Sequence, residues 1–160
     1  MIMLISEGGR KLFKEWEGFE RRRYLDSGGA WTIGIGHLLT KSELTLGFIK
    51  IGNAIVNVDA ELSHDEVWKL FNQDIRRFEK AVNELVKPAL NQNQFDALVS
   101  FAYNVGVSAF EGSTLLKVLN QRHFNQVPTQ LMRWIYDNGK VVKGLVNRRK
   151  KEVSLWEGKL

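Results

Sequence analysis

The chain contains no cysteine, which excludes disulfides, thiolate nucleophiles and cysteine-ligated metals together. Histidine is scarce: His37, His64 and His123 lie far apart, with none of the close spacings that put two imidazoles on one helix face, so no metal site is expected. There are only two prolines, and no Pro/Ser-rich linker, internal repeat or low-complexity tract interrupts the sequence. Long apolar runs are missing too. The longest early one, Met1 to Ile5, is shorter than a signal-peptide core and far shorter than a spanning helix, so the expectation is a cytoplasmic start and no stable membrane insertion.

What is present suits a folded domain. At 160 residues, with 44% hydrophobic and 26% charged, the chain is long enough to bury a real core without covalent staples, as one domain with up to two lobes. Basic residues outnumber acidic ones 23 to 18, a net charge of +5. That surplus favours polyanionic partners such as nucleic acid, membrane surfaces or acidic wall polymers, and does not choose among them. Two clusters, Arg21-Arg22-Arg23 and Arg148-Arg149-Lys150-Lys151, hold much of it. They read either as solvated surface or as steering charges.

Leu12, Phe13 and Trp16 form a helical stripe from Ser6 to Glu17, and Gly18 is a good stop. Phe19 to Gly36 then turns β-branched and aromatic around Asp26-Ser27-Gly28-Gly29, which predicts a two-stranded hairpin. Glu17 therefore falls where helix meets sheet. Lys41 to Asp59, broken by Gly47, Gly52 and Asn53, fits a short helix, a strand or a loop over a cleft. Ser63 to Glu66 has capping-box spacing, and the apolar periodicity from Val67 to Val82 predicts a long helix up to Lys87-Pro88. Beyond Pro88 the pattern is helical almost throughout, with Asn91 and Ser113 as caps and Gly106 and Gly139 as breaks. The expected fold class is α+β, mainly α: a small N-terminal mixed lobe over about residues 18–62, joined by the long helix to a helical lobe of 1–17 plus 63–160. A cleft between them is the expected ligand site.

Two carboxyl groups flanking an anomeric carbon can cleave a glycosidic bond, one donating a proton to the leaving oxygen and the other acting on the opposite face. Glu17, at the C-terminal end of a helix, faces the negative pole of the helix dipole, which favours a protonated acid. It also fits a plain solvated carboxylate. Asp26 opens a turn, where Asp is common for structural reasons alone. Thr32 on the returning strand would converge with both at one mouth of the hairpin. Gly34-Ile35-Gly36 superficially suggests a nucleotide loop, but Leu39 stands at the third glycine position and no helix opens there.

The spacing of Glu17, eight residues, Asp26, five residues, Thr32 resembles the motif of the phage-type lysozymes, glycoside hydrolase family 24. The run Thr32 to Thr40 and the stretch Leu70 to Asp74 are similar to T-even phage lysozymes. Pro88 to Leu98, Asn104-Val105-Gly106 and Gly112-Ser113-Thr114 are similar to lambdoid members. The resemblance covers most of the chain and implies a single lysozyme-like catalytic domain over 1–160 with no cofactor and no nucleic-acid partner.

By that resemblance Glu17 is the general acid, while Asp26 and Thr32 position a water that attacks N-acetylmuramic acid with inversion. Such chemistry requires the two carboxyl groups to stand about 6.5 to 9.5 Å apart. Leu38, Tyr103 and Ser113 fall at sugar-groove positions, with Tyr103 in place of a Phe. Tyr103 equally fits a core aromatic and Ser113 a plain N-cap. His37 is expected to fix the hairpin rather than to react, and Arg148 to pair with the catalytic Glu. The implied biology is an endolysin acting on peptidoglycan as a monomer. It would be held in the host cytoplasm until a holin opens the way to the periplasmic wall. A lytic transglycosylase and a non-catalytic wall- or nucleic-acid-binding module are the competing readings. The first needs no positioned water, and the second leaves the Glu17, Asp26, Thr32 spacing unexplained.

Overall fold

Helix α1 (Glu7–Glu17) begins where the Ser6 hydroxyl accepts the Gly9 amide at 3.1 Å, an N-cap that satisfies one of the orphan donors of a first turn. The same hydroxyl donates to the carboxylate of Asp96, which also accepts the Ser6 amide at 3.0 Å. Gly9 lies close by: a Cβ there would stand 3.0 Å from that carboxylate, a tight contact. The helix stops at Gly18, whose φ of +83° closes the last turn in the left-handed region.

The structure is a computed structural model and describes residues 1–160. It divides into two compact units, one of Lys11–Arg76 and one of Met1–Arg10 with Arg77–Leu160. In the first, strands β1 (Glu20–Leu25), β2 (Trp31–Gly34) and β3 (His37–Leu38) form an antiparallel sheet in chain order. Helix α2 (Lys41–Leu46) and a second hairpin, β4 (Phe48–Ile51) with β5 (Ala54–Asn57), resolve the segment that the sequence left open: helix, then strands. Helix α3 (His64–Leu85) starts at the expected capping box, with Ser63 and Glu66 exchanging bonds of 2.8 and 3.0 Å. Phe13 and Phe71, both fully buried with ring centroids 5.3 Å apart, centre a core that includes Ile33, Ile35, Ile49 and Leu70. Each such side chain contributes about 1.5 to 3 kcal/mol by leaving water.

The second unit is built on α4 (Gln92–Val105), capped by Asn91 and Gln94 and buried along the whole run from Phe95 to Ala102. Helices α5 (Val107–Glu111), α6 (Thr114–Asn120), α7 (Val127–Leu131) and α8 (Lys143–Trp156) complete it. The N-terminal strand of chain is tied down by Asn83, which exchanges two 2.9 Å bonds with the backbone of Met3. At the expected break around Gly139 the chain forms a small hairpin, β6 (Tyr136–Asp137) and β7 (Lys140–Val141), turned by Asn138-Gly139. Both turn residues have positive φ, the chemistry of a tight hairpin turn. No helix is long and apolar enough to cross a membrane.

Candidate active site

Within the unit Lys11–Arg76, Glu17 is the last residue of α1, and its side chain packs on the β2–β3 turn. A Cβ built at Gly36 would lie 2.8 Å from Glu17 Oε2 and 2.9 Å from its Cβ. Gly36 also has φ +67°, so two independent constraints demand glycine there. The backbone of this turn is a wall against which the carboxyl is set.

Asp26 follows β1 and organises the hairpin. Its Oδ1 accepts the amides of Gly28 and Ala30 at 2.9 and 2.8 Å, while its own amide donates to the Ala30 carbonyl. Those turn bonds use one carboxylate oxygen and leave Oδ2 outside the turn. Thr32 is only 3% exposed, and its hydroxyl donates to the Ala30 carbonyl at 3.1 Å. Thr32 Oγ1 therefore meets any further partner as an acceptor.

The register decides what stands beside these groups. Thr32 pairs directly with Tyr24 on β1 and with Leu38 on β3. Directly paired residues point to one face, and so do residues two apart on a strand. Tyr24, Thr32 and Leu38 thus form a row across the sheet, and Asp26 lies just past the end of β1, two residues after Tyr24. Leu38 is exposed despite being apolar. The Tyr24 phenol is pushed up from its ordinary pKa, by burial first and then by the charges of Glu20, Asp26 and Glu17. Sequence reading overlooked Tyr24 and Gly36; only the register and the turn geometry reveal them.

His37 is clamped between two carboxylates, Nδ1 at 2.7 Å from Asp74 and Nε2 at 2.9 Å from Glu43. Both partners accept, so the ring fills both contacts as an imidazolium. Burial alone would lower its pKa, but the bonds and charges of Asp74 and then Glu43 outweigh it, and the net direction is up. Glu43 at the same time closes the capping box of α2 with Thr40. His37 is thus part of the scaffold that joins β3, α2 and α3. No group of three or more His, Asp or Glu side chains is arranged to hold a metal ion.

In the other unit, Tyr103 on α4 packs edge-on against Phe78, ring centroids 5.0 Å apart. The Ser113 hydroxyl is engaged twice, donating to the Phe110 carbonyl at 2.7 Å and accepting the Leu116 amide at 3.1 Å as the N-cap of α6. Arg148 on α8 is buried, with its guanidinium 6.0 Å from the Tyr103 ring and a 3.3 Å bond to the Ser100 carbonyl. Beneath it Arg149 and Glu152 are completely buried and joined at 2.7 Å, while Ser100 donates to Glu152 at 2.5 Å and Arg149 to Asn104. Burial pushes the Glu152 carboxyl up, and the flanking Arg149 and Arg148 guanidiniums pull it back.

These contacts revise the reading of the two basic clusters. Arg21 and Arg22 pair with Glu61 and Arg23 with Asp59, while Arg23 also lies 4.4 Å over the Trp31 ring. Arg148 and Arg149 are buried and Lys151 is intermediate, leaving Lys150 as the exposed member of the second cluster. Of the two readings open for these clusters, exposed Arg22 and Lys150 fit solvated surface, while Arg148 and Arg149 fit neither because they are buried.

With this geometry in view, the comparisons with known proteins agree in direction. The family model described as phage lysozyme matches residues 14–152. An endolysin of Bacillus phage B103 is 36% identical over 156 residues, covering 96% of this chain and 54% of that protein, so the chain spans about half its length. The endolysin of Salmonella phage P22 is 35% identical over 155 residues, covering 97% of this chain and 99% of the relative. Among solved structures, the muramidase domain of SpmX from Asticaccaulis excentricus superposes with a TM-score of 0.76 at 32% identity, over 96% of this chain and 97% of that one. The fold is accordingly the lysozyme-like α+β fold, and the chain belongs to the phage lysozyme family.

Proposed function

We propose that this protein is a bacteriolytic muramidase that hydrolyses the β-1,4 bond between N-acetylmuramic acid and N-acetylglucosamine in peptidoglycan, by single displacement with inversion. The observation that carries this is the hairpin face. Asp26 has one oxygen engaged by its turn and the other left to accept from a water. Thr32, its own proton committed to the Ala30 carbonyl, accepts from the same water. Glu17, set against Gly36, donates its proton to the leaving glycosidic oxygen as the bond breaks. Leu38, exposed on the row beside Thr32, offers an apolar surface to a sugar ring. Tyr103 and Ser113 are proposed groove residues by resemblance, and Arg148 a supporting one. For Ser113 the cap bonds supply a structural role as well.

The test is mass spectrometry of muropeptides released from purified peptidoglycan in heavy-oxygen water, with wild type and Glu17→Gln. Labelled muramic acid reducing ends from wild type are expected, and a kcat loss of about 100- to 10,000-fold for Glu17→Gln. Anhydro ends without label would make the enzyme a transglycosylase, and no product at all would leave a wall-binding module. In its biological setting we propose an endolysin that waits in the host cytoplasm as a monomer and reaches the periplasmic wall through a separate holin. Expression alone should then leave intact cells unharmed.

A further inference from the structure

A water held only by acceptors is poorly fixed. Asp26 Oδ2 and Thr32 Oγ1 each take one of its two protons, and one lone pair must point at the anomeric carbon. The second lone pair then has no donor from either residue, since an ionised carboxylate has none and the Thr32 proton is held by the Ala30 carbonyl. The sheet register supplies one. Tyr24 stands directly opposite Thr32 on the same face, two residues before Asp26, which follows the end of β1. It is half-buried, and its hydroxyl has no hydrogen-bond partner within the protein. The fold gives that hydroxyl nothing to hold, yet sets it among the reacting groups.

We propose that Tyr24 is a further catalytic residue of this site, its phenol hydroxyl donating a hydrogen bond to the attacking water as a third anchor beside Asp26 and Thr32. The inference rests on the hydrolytic reading given above. In the reaction the water oxygen forms the new bond to the anomeric carbon and one water proton passes to Asp26. The glycosidic carbon–oxygen bond breaks and the leaving oxygen takes the proton of Glu17. Tyr24 gives up no proton. Burial first, and then the carboxylates of Glu20, Asp26 and Glu17, disfavour the phenolate, so the hydroxyl stays a donor. Its contribution is orientation, the conversion of a loosely held water into one aimed at carbon.

The experiment compares wild type and Tyr24→Phe on solubilised glycan strands in heavy-oxygen water, with and without methanol as a competing nucleophile. Because the hydroxyl holds nothing in the fold, the variant should melt with wild type. Expected are a kcat lower by about 10- to 100-fold, a KM within about twofold, and a larger share of methyl glycoside ends in methanol. A kcat within about twofold of wild type would overturn the proposal. So would a loss carried by KM, which would make Tyr24 a sugar contact, or a loss with an unchanged methanol share, which would make it structural. Unlabelled wild-type products would instead sink the hydrolytic reading itself, and Tyr24's role with it.

Discussion

Two groups of charged and polar side chains in this molecule use the same chemistry to opposite ends. On α4 and α8, Ser100, Arg149 and Glu152 are buried and bound to one another, and Asn104 at the surface accepts from Arg149. On the hairpin of β1 and β2, Asp26 and Thr32 make few side-chain bonds and leave an atom outside that network, and the Tyr24 hydroxyl makes none. Burial separates the two cases. A buried charge that loses its partner is costly, so the Arg149–Glu152 pair is tied to the fold, whereas half-buried Asp26 and Tyr24 can keep a valence open for a ligand.

Substitutions that should affect one property and not the other test this division. The largest effect is expected from Glu152→Ala, which leaves Arg149 buried without its carboxylate and should cost about 3 to 5 kcal/mol by denaturant unfolding. A variant as stable as wild type but inactive would break the comparison. Gly36→Ala should do the reverse. Its Cβ displaces the Glu17 side chain, and a shift of about 1 Å lowers kcat by about 100-fold with a smaller loss of stability. Unchanged kcat would mean that Glu17 does not act from where it stands.

The His37 clamp sharpens the comparison through pH. Its folded-state pKa is raised, so the stability it adds is fully present below the ordinary histidine pKa and lost as pH rises through the folded one. His37→Gln should therefore be less stable than wild type by about 1 to 3 kcal/mol in mild acid, with the gap closing in alkaline buffer. A gap that widened with pH would show that the ring is neutral in the fold. The smallest effect belongs to Arg22→Ala, which removes an exposed 3.4 Å pair with Glu61. Thermal melts should move by no more than about 0.5 kcal/mol equivalent.

Much of this was legible in the sequence where a signal is local. Gly18 after the apolar stripe marked the end of α1, Ser63 and Glu66 marked the start of α3, and Asp26 with its glycines marked the turn. Asn138-Gly139 was equally plain as a hairpin signal, but two-residue strands between helices are too short to show a period of two. Strand β3 escaped for the same reason. Tyr24 escaped because its meaning lies in a partner eight residues away across the sheet. The arginine clusters misled because composition records charge and not the carboxylate that meets it: Glu61 and Asp59 are nearly forty residues distant in sequence from Arg21 to Arg23.

Helix α2 has no buried residue, and its Leu46 is 61% exposed. It is held by the Thr40 and Glu43 cap, by the link from Glu43 to His37, by contact with β4 and by the bond from the Val58 amide to the Gly47 carbonyl. A segment attached in this way carries no share of the core, so residues can be added or removed between Lys41 and Gly47 without opening a cavity. The condition on any such change is that a carboxylate stays within reach of the His37 imidazole.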